Sequence, residues 1–258
     1  MNLDLAGKLV LITGGSKGIG LACARAFRAE GARLAITSRS QHNLDVACVE
    51  LASAFAVAAD LTDAGQAAAM VDAVEAELGP IDVLVNSAGA ARRTPPADLT
   101  PEFWRAAMDA KYFTYINVID PVVKRMAARG AGVIVNIIGQ GGKIASPVHL
   151  AGGSANAALM LATAGLATAY ARQGVRVVGI NPGLTDTDRV AEGMKADAAL
   201  AGLTVEQART RAVDRIPLGR MASGEDIGNL AAFLASPRAG YVTGVNITMD
   251  GATSATVV

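Results

Sequence analysis

Thr13-Gly14-Gly15-Ser16-Lys17-Gly18-Ile19-Gly20 follows an apolar run at residues 9–12 and leads directly into a stretch with helical spacing. Glycine lets a backbone turn tightly and come close to a ligand, and the free amides at a helix start are partners for an anion. A strand, a glycine-rich turn and a helix in that order are the parts of a pyrophosphate cradle, here Gly14, Ser16, Lys17, Gly18, Ile19 and Gly20. The end of the next apolar run extends the reading. A dinucleotide with a free 2′-hydroxyl on its adenine ribose calls for an acid at that point. This sequence has Ser38 followed by Arg39, and Lys17 adds a second cation from the loop. Two cations and no acid suit a 2′-phosphate, which points to NADP(H) ahead of NAD(H).

The elements that must position this loop are visible as short apolar runs at residues 9–12, 34–37, 55–58, 81–85, 133–138, 175–180 and 245–249, alternating with helical stretches. Strands this apolar are buried on both faces. The pattern therefore predicts one α/β domain over residues 1–258, a doubly wound parallel sheet with helices on both sides. Residues 184–217 carry no strand and are expected to form a substrate lid beyond the carboxyl ends of the strands. Lysines and arginines number 23, as do aspartates and glutamates, so the chain has no electrostatic footprint for nucleic acid or an anionic membrane. Cys23 and Cys48 fit neither a metal site nor a disulfide framework, and no metal is expected. The opening MNLDLAGK lacks the basic start of a signal peptide, which suggests a cytoplasmic protein. From Ile144 to Ala171 there is no Lys, Arg, Asp or Glu, but Pro147, Gly152, Gly153 and Asn156 interrupt the stretch. A helix over 153–172, internal or at a subunit interface, is expected rather than a membrane span.

Further motifs follow the glycine loop in a fixed order: Asp60-Leu61-Thr62-Asp63, Asn86-Ser87-Ala88-Gly89, Asn181-Pro182-Gly183 with Thr187 beyond, Gly219-Arg220, Thr243-Gly244 and Met249-Asp250-Gly251. In type and order these resemble the short-chain dehydrogenase/reductase superfamily nearly from end to end, with Ser87 standing for the family's second asparagine. The resemblance implies a Rossmann sheet, a nicotinamide cofactor, a small-molecule alcohol or carbonyl substrate and a homo-oligomer, dimer or tetramer. It also implies cofactor contacts from Asp60 and Leu61 at the adenine and from Asn86, Ala88 and Gly89 after the fourth strand. Ile137 and Asn156 would lie by the ribose, and Pro182, Gly183 and Thr187 would hold the carboxamide.

In that family a tyrosine exchanges the proton as hydride moves, and a lysine four residues later lowers its pKa. A serine polarises the carbonyl, and an asparagine on the preceding helix anchors a relay water. The corresponding positions here are Gly152, Asn156, Gly139 and Lys111. Tyr112, Tyr115, Tyr170 and Tyr241 all lack a lysine four or seven residues later, so no shift of register restores the pair. Asparagine and lysine have in effect exchanged places. Lys111 could return a positive charge to the site or face solvent, and Asn156 could still meet a ribose hydroxyl. His149, which titrates near neutrality, is the candidate replacement acid, with Lys143 behind it and His42 expected to be exposed or structural. Arg92, Arg93 and Arg189 could meet an anionic substrate or simply face water. Three functions fit this pattern: an NADP(H)-dependent oxidoreductase with a non-standard proton donor, a nucleotide-binding protein without turnover, and a non-redox reaction on the same scaffold.

Overall fold

The structure, a computed structural model, describes residues 1–89 and 93–255, and of residues 189, 192, 193, 196, 197, 199 and 200 the backbone alone. Seven strands form one sheet: β1 (Leu9–Thr13), β2 (Arg33–Ser38), β3 (Phe55–Ala58), β4 (Val83–Asn86), β5 (Gly132–Ile137), β6 (Val175–Pro182) and β7 (Asn246–Met249). Every pairing is parallel and the order is β3-β2-β1-β4-β5-β6-β7. The order reverses between β1 and β4, which opens a crevice at the carboxyl ends of these strands.

Alternation along β1 explains the two layers. Leu9 and Leu11 join a core with α3 (Ala64–Leu78), α5 (Thr114–Arg129) and α6 (Leu150–Tyr170). Val10 and Ile12 point the other way, into a core with α1 (Gly18–Ala29), α2 (Gln41–Leu51) and α9 (Gly224–Ala235). The sheet is thus covered on both faces, as its apolar strands predict.

Three elements depart from the sequence reading. The helical stretch between the apolar runs at 81–85 and 133–138 is broken: α4 (Pro101–Ala107) passes through a π-helical segment, Met108–Phe113, before α5 begins. Such a wide turn leaves no mark in hydrophobic spacing. β4 starts at Val83 instead of residue 81, and just before it the Asp82 carboxylate accepts from the Leu9 amide (2.9 Å) and the Lys8 ammonium (3.3 Å). The uncharged helix begins at Leu150. Pro147–Gln173 has the length and hydropathy of a membrane span, yet α6 packs against β6 and buries Ala155, Leu159, Met160, Thr163 and Ala167. Within 184–217 lie α7 (Asp188–Ala201) and α8 (Val205–Val213), gathered on a small core of Met194, Ile216 and Met221. Arg209 of α8 reaches Asp186 with both terminal nitrogens (3.2 and 2.7 Å).

A chain of side-chain hydrogen bonds crosses the carboxyl ends of the strands. Ser87 and Ala88 donate their amides to Thr13 Oγ1 (3.0 and 3.1 Å), whose hydroxyl donates to Asn86 Oδ1 (3.5 Å). Asn86 Nδ2 donates to Asn136 Oδ1 (3.0 Å), Asn136 Nδ2 to Thr163 Oγ1 (3.0 Å), and Thr163 to the Leu159 carbonyl (2.8 Å). Thr13, Asn86, Asn136 and Thr163 are fully buried. Asn136→Leu leaves the Asn86 amide nitrogen without its acceptor and should cost about 1–3 kcal/mol of stability. Denaturant titration should show this as a lower midpoint at unchanged slope.

Candidate cofactor and active site

The glycine loop lies in the crevice. Gly14 (φ +66°) and Gly18 (φ +57°) take left-handed backbone angles. A Cβ on Gly14 would lie 2.9 Å from Ala88 Cα, and one on Gly20 would lie 2.1 Å from the Gly14 carbonyl oxygen, so neither position accepts a side chain. Lys17 precedes α1 without capping it, and the first turn of α1 holds no acid, which leaves the helix start ready for an anion. These features fit a dinucleotide pyrophosphate, with Ser16 buried in the loop and Lys17 exposed at its edge.

At the end of β2, Ser38 Oγ donates to the Ser40 carbonyl (3.1 Å), and Ser40 caps α2 through the Asn43 amide. Arg39 is exposed. Asp60 is held below the usual carboxylate range by the Thr62 amide and hydroxyl, with a smaller contribution from Arg39. Leu61 is buried, and its carbonyl accepts from Asn117 Nδ2 (3.0 Å). Gly89 (φ +90°) lies against the π-helical segment, where a Cβ would meet the Ala110 carbonyl oxygen at 2.1 Å. Beyond β6, which ends at Pro182, the Gly183 amide donates to the Met249 carbonyl (2.9 Å), and Thr187 Oγ1 donates to the Thr185 carbonyl (3.4 Å).

The end of β5 gathers the remaining candidates. Lys111, on the π-helical segment, is only 7% exposed and is not a solvent-facing lysine. Its ammonium donates to Tyr115 Oη (2.8 Å) and to the Ile137 carbonyl (3.0 Å). Gly139 has φ +120° and ψ 144°, and Asn156 Nδ2 donates to its carbonyl (3.4 Å). Asn156 therefore points its amide nitrogen at this loop, where the sequence suggested a ribose partner. The loop lies on α6 almost backbone to backbone: a Cβ on Gly142 would lie 2.7 Å from the Ala157 amide nitrogen, and one on Gly153 would lie 2.7 Å from the Gly141 carbonyl oxygen. His149 also lies against Gly141, where a Cβ would meet its Cδ2 at 2.9 Å and Asn156 Nδ2 at 3.5 Å. Lys111, Ile137, Gly139, Asn156 and His149 are thus neighbours at one strand end.

Lys143 is elsewhere. Its ammonium donates to the Asn246 carbonyl (3.2 Å) and Thr248 Oγ1 (3.3 Å), tying the loop to β7. Gln140, which sequence reasoning passed over, donates to Asp250 Oδ2 (2.6 Å) and to Ser254 Oγ. His42 is exposed on α2. Arg93 is exposed and its charge reaches His149, whereas Arg92 and the Arg189 side chain lie outside the described residues. Tyr115 was also missed. The family's lysine follows its tyrosine, whereas here Lys111 comes four residues before Tyr115, one helical turn away.

His149 is half-buried, and its Nδ1 has no hydrogen-bond partner among the described residues. Burial, then the charges of Arg93 and Lys111, hold its pKa below the ordinary 6.5. Near neutral pH the imidazole is uncharged, so it is a proton acceptor before it is a donor. Folding lowers its proton affinity. The unfolded chain therefore takes up more protons just below 6.5, and this part of the stability is lost as pH falls from there through the folded value. Thermal melts at stepped pH should show His149→Gln losing less stability over that window than the parent.

A family model described as Enoyl-(Acyl carrier protein) reductase matches residues 14–253. D-threitol dehydrogenase of Mycolicibacterium smegmatis is 33% identical over 251 residues, 96% of this chain and 93% of that protein. The solved structure of L-sorbose reductase from Gluconobacter frateurii with NADPH and L-sorbose is 29% identical, with a TM-score of 0.93 and full coverage of both chains (100% and 100%). That of 7α-hydroxysteroid dehydrogenase with NADH and 7-oxo glycochenodeoxycholic acid is 28% identical, with a TM-score of 0.87 over 97% of this chain and 96% of the other. Fold, motif order and relatives agree: the chain belongs to the short-chain dehydrogenase/reductase superfamily of nicotinamide-dependent oxidoreductases.

Proposed function

We propose that the chain is an NADP(H)-dependent oxidoreductase that interconverts a small-molecule alcohol and its carbonyl. Its catalytic set is His149, Lys111 and Asn156 in place of the family's usual four residues. The observation that carries this reading is the meeting of these three residues about one loop at the end of β5, across the crevice from the glycine loop.

Cofactor binding falls to Gly14, Ser16, Lys17, Gly18, Ile19 and Gly20 at the pyrophosphate. Ser38 and Arg39 take the 2′-phosphate, and Asp60 and Leu61 the adenine. Asn86, Ala88, Gly89 and Ile137 line the middle of the crevice, and Pro182, Gly183 and Thr187 the carboxamide. Exposed Lys17 and Arg39, with no acid at the end of β2, support NADP(H). The L-sorbose reductase structure holds NADPH and the 7α-hydroxysteroid dehydrogenase structure NADH, so the choice rests on Lys17 and Arg39. When bound, the nicotinamide supplies the hydride acceptor or donor. The chain's own groups handle the rest. In alcohol oxidation the hydroxyl proton passes to the neutral imidazole of His149 as the carbon–oxygen double bond forms, and the Lys111 charge stabilises the oxygen as it loses that proton. Asn156 holds the loop that sets this geometry. Residues 184–217 close over the substrate. Exposed Phe103, Trp104 and Phe113 support a homo-oligomer, dimer or tetramer.

A panel of polyols and secondary alcohols, beginning with D-threitol, should give substrate-dependent NADPH absorbance. His149→Ala should lower the rate about a hundredfold and remove the acid limb of the pH profile. An unchanged rate would exclude His149 as the proton acceptor, and tight NADPH binding without turnover on the panel would favour a binding role. Arg39→Ala should weaken NADPH about tenfold relative to NADH in a fluorescence titration. Light scattering should return two or four times the chain mass of 26.2 kDa.

A further inference from the structure

Lys111 poses a physical question that the proposed reaction does not answer. An ammonium taken out of water costs several kcal/mol unless other groups replace its hydration. The two partners described above are neutral oxygens, and their arrangement is specific. Tyr115 is completely buried and its hydroxyl donates to the Ile137 carbonyl. With its proton committed there, the phenol oxygen can only accept from Lys111. The ammonium donates in turn to the phenol and to the same carbonyl, and it lies 4.5 Å from the Tyr115 ring centroid. Three groups from the π-helical segment, α5 and the end of β5 thus close a ring of hydrogen bonds around one charge.

We propose that Tyr115 is a positioning residue: its phenol, bridged to the Ile137 carbonyl, fixes the Lys111 ammonium at the head of the loop that carries His149. The inference rests on the reading of His149 and Lys111 as the reacting pair, and it adds what keeps the charge in place. The tyrosine touches no substrate, since it is sealed in the core. Its contribution is to make Lys111 a fixed charge instead of a mobile one, which is what electrostatic stabilisation of a reacting oxygen requires. A lysine has enough rotatable bonds to reach solvent if nothing holds it.

The test needs no substrate. The chain has 2 histidines, so NMR of protein labelled at the imidazole Cε1 gives separate titrations, with His42→Gln assigning them. Among the described residues, the charges acting on His149 are those of Arg93 and Lys111. Lys111→Met should raise the His149 midpoint by about half a pH unit, through removal of a like charge. Tyr115→Phe should move it the same way by a smaller amount, and should add nothing once Lys111 is already Met. An unchanged or lower midpoint in Tyr115→Phe, or an equal shift in the Lys111→Met background, overturns the proposal. Should Tyr115→Phe fail to fold, the double variant decides. Recovery of the thermal transition traces the defect to the unheld ammonium, and no recovery overturns the assignment. A Lys111→Met protein whose His149 midpoint does not move would instead remove the pairing of Lys111 with His149, a separate outcome from failure of the Tyr115 role.

Discussion

Four buried polar side chains, Thr13, Asn86, Asn136 and Thr163, hold the carboxyl ends of β1, β4 and β5 against α6. Backbone ladders align neighbouring strands, but they do not fix what happens where the strands stop and the chain turns into loops. The side-chain series does. Each amide and hydroxyl in it has a directed partner, and in a low-dielectric interior an error in any one would leave polar atoms bare. It begins at the strand that feeds the glycine loop and ends on the helix that carries Asn156. The cofactor cradle and the far side of the crevice are therefore set relative to each other by one continuous constraint.

The loop after β5 uses a different device. Its glycines let it lie against α6 with backbone nearly touching backbone, while Gln140 and Lys143 bind the opposite edge to the C-terminal segment and β7. Lys111 approaches from the third side, through the π-helical segment, and meets the Ile137 carbonyl. Three separate parts of the chain converge on a few main-chain atoms. The local electrostatics follow: a neutral, half-buried imidazole sits near a buried ammonium, whose charge disfavours a second one on the ring.

How much of this could be read from residues alone differs between the two halves of the site. The strand–glycine–helix order marked the phosphate cradle, because glycine at Gly14 and Gly20 answers a local requirement of the backbone. Asp60, Asn86 and Gly183 were marked only by short motifs shared with the family, and their cofactor contacts belong to the proposal. Lys111 was found, but its surroundings were not, since burial depends on a wide turn that hydrophobic spacing does not record. Tyr115 was invisible because its partner precedes it in sequence. Gln140 and Lys143 act on residues more than a hundred positions away, a contact that no local pattern encodes.

The backbone at Gly139, with φ +120°, is a conformation that residues bearing a Cβ rarely adopt. A hydroxyl cannot be installed there by a single codon change without rebuilding the turn, and the turn is shaped by Gly142 against Ala157 and by the amide of Asn156. Positions 139, 142 and 156 are therefore mechanically coupled: a side chain added at either glycine has to be accommodated by the same stretch of α6.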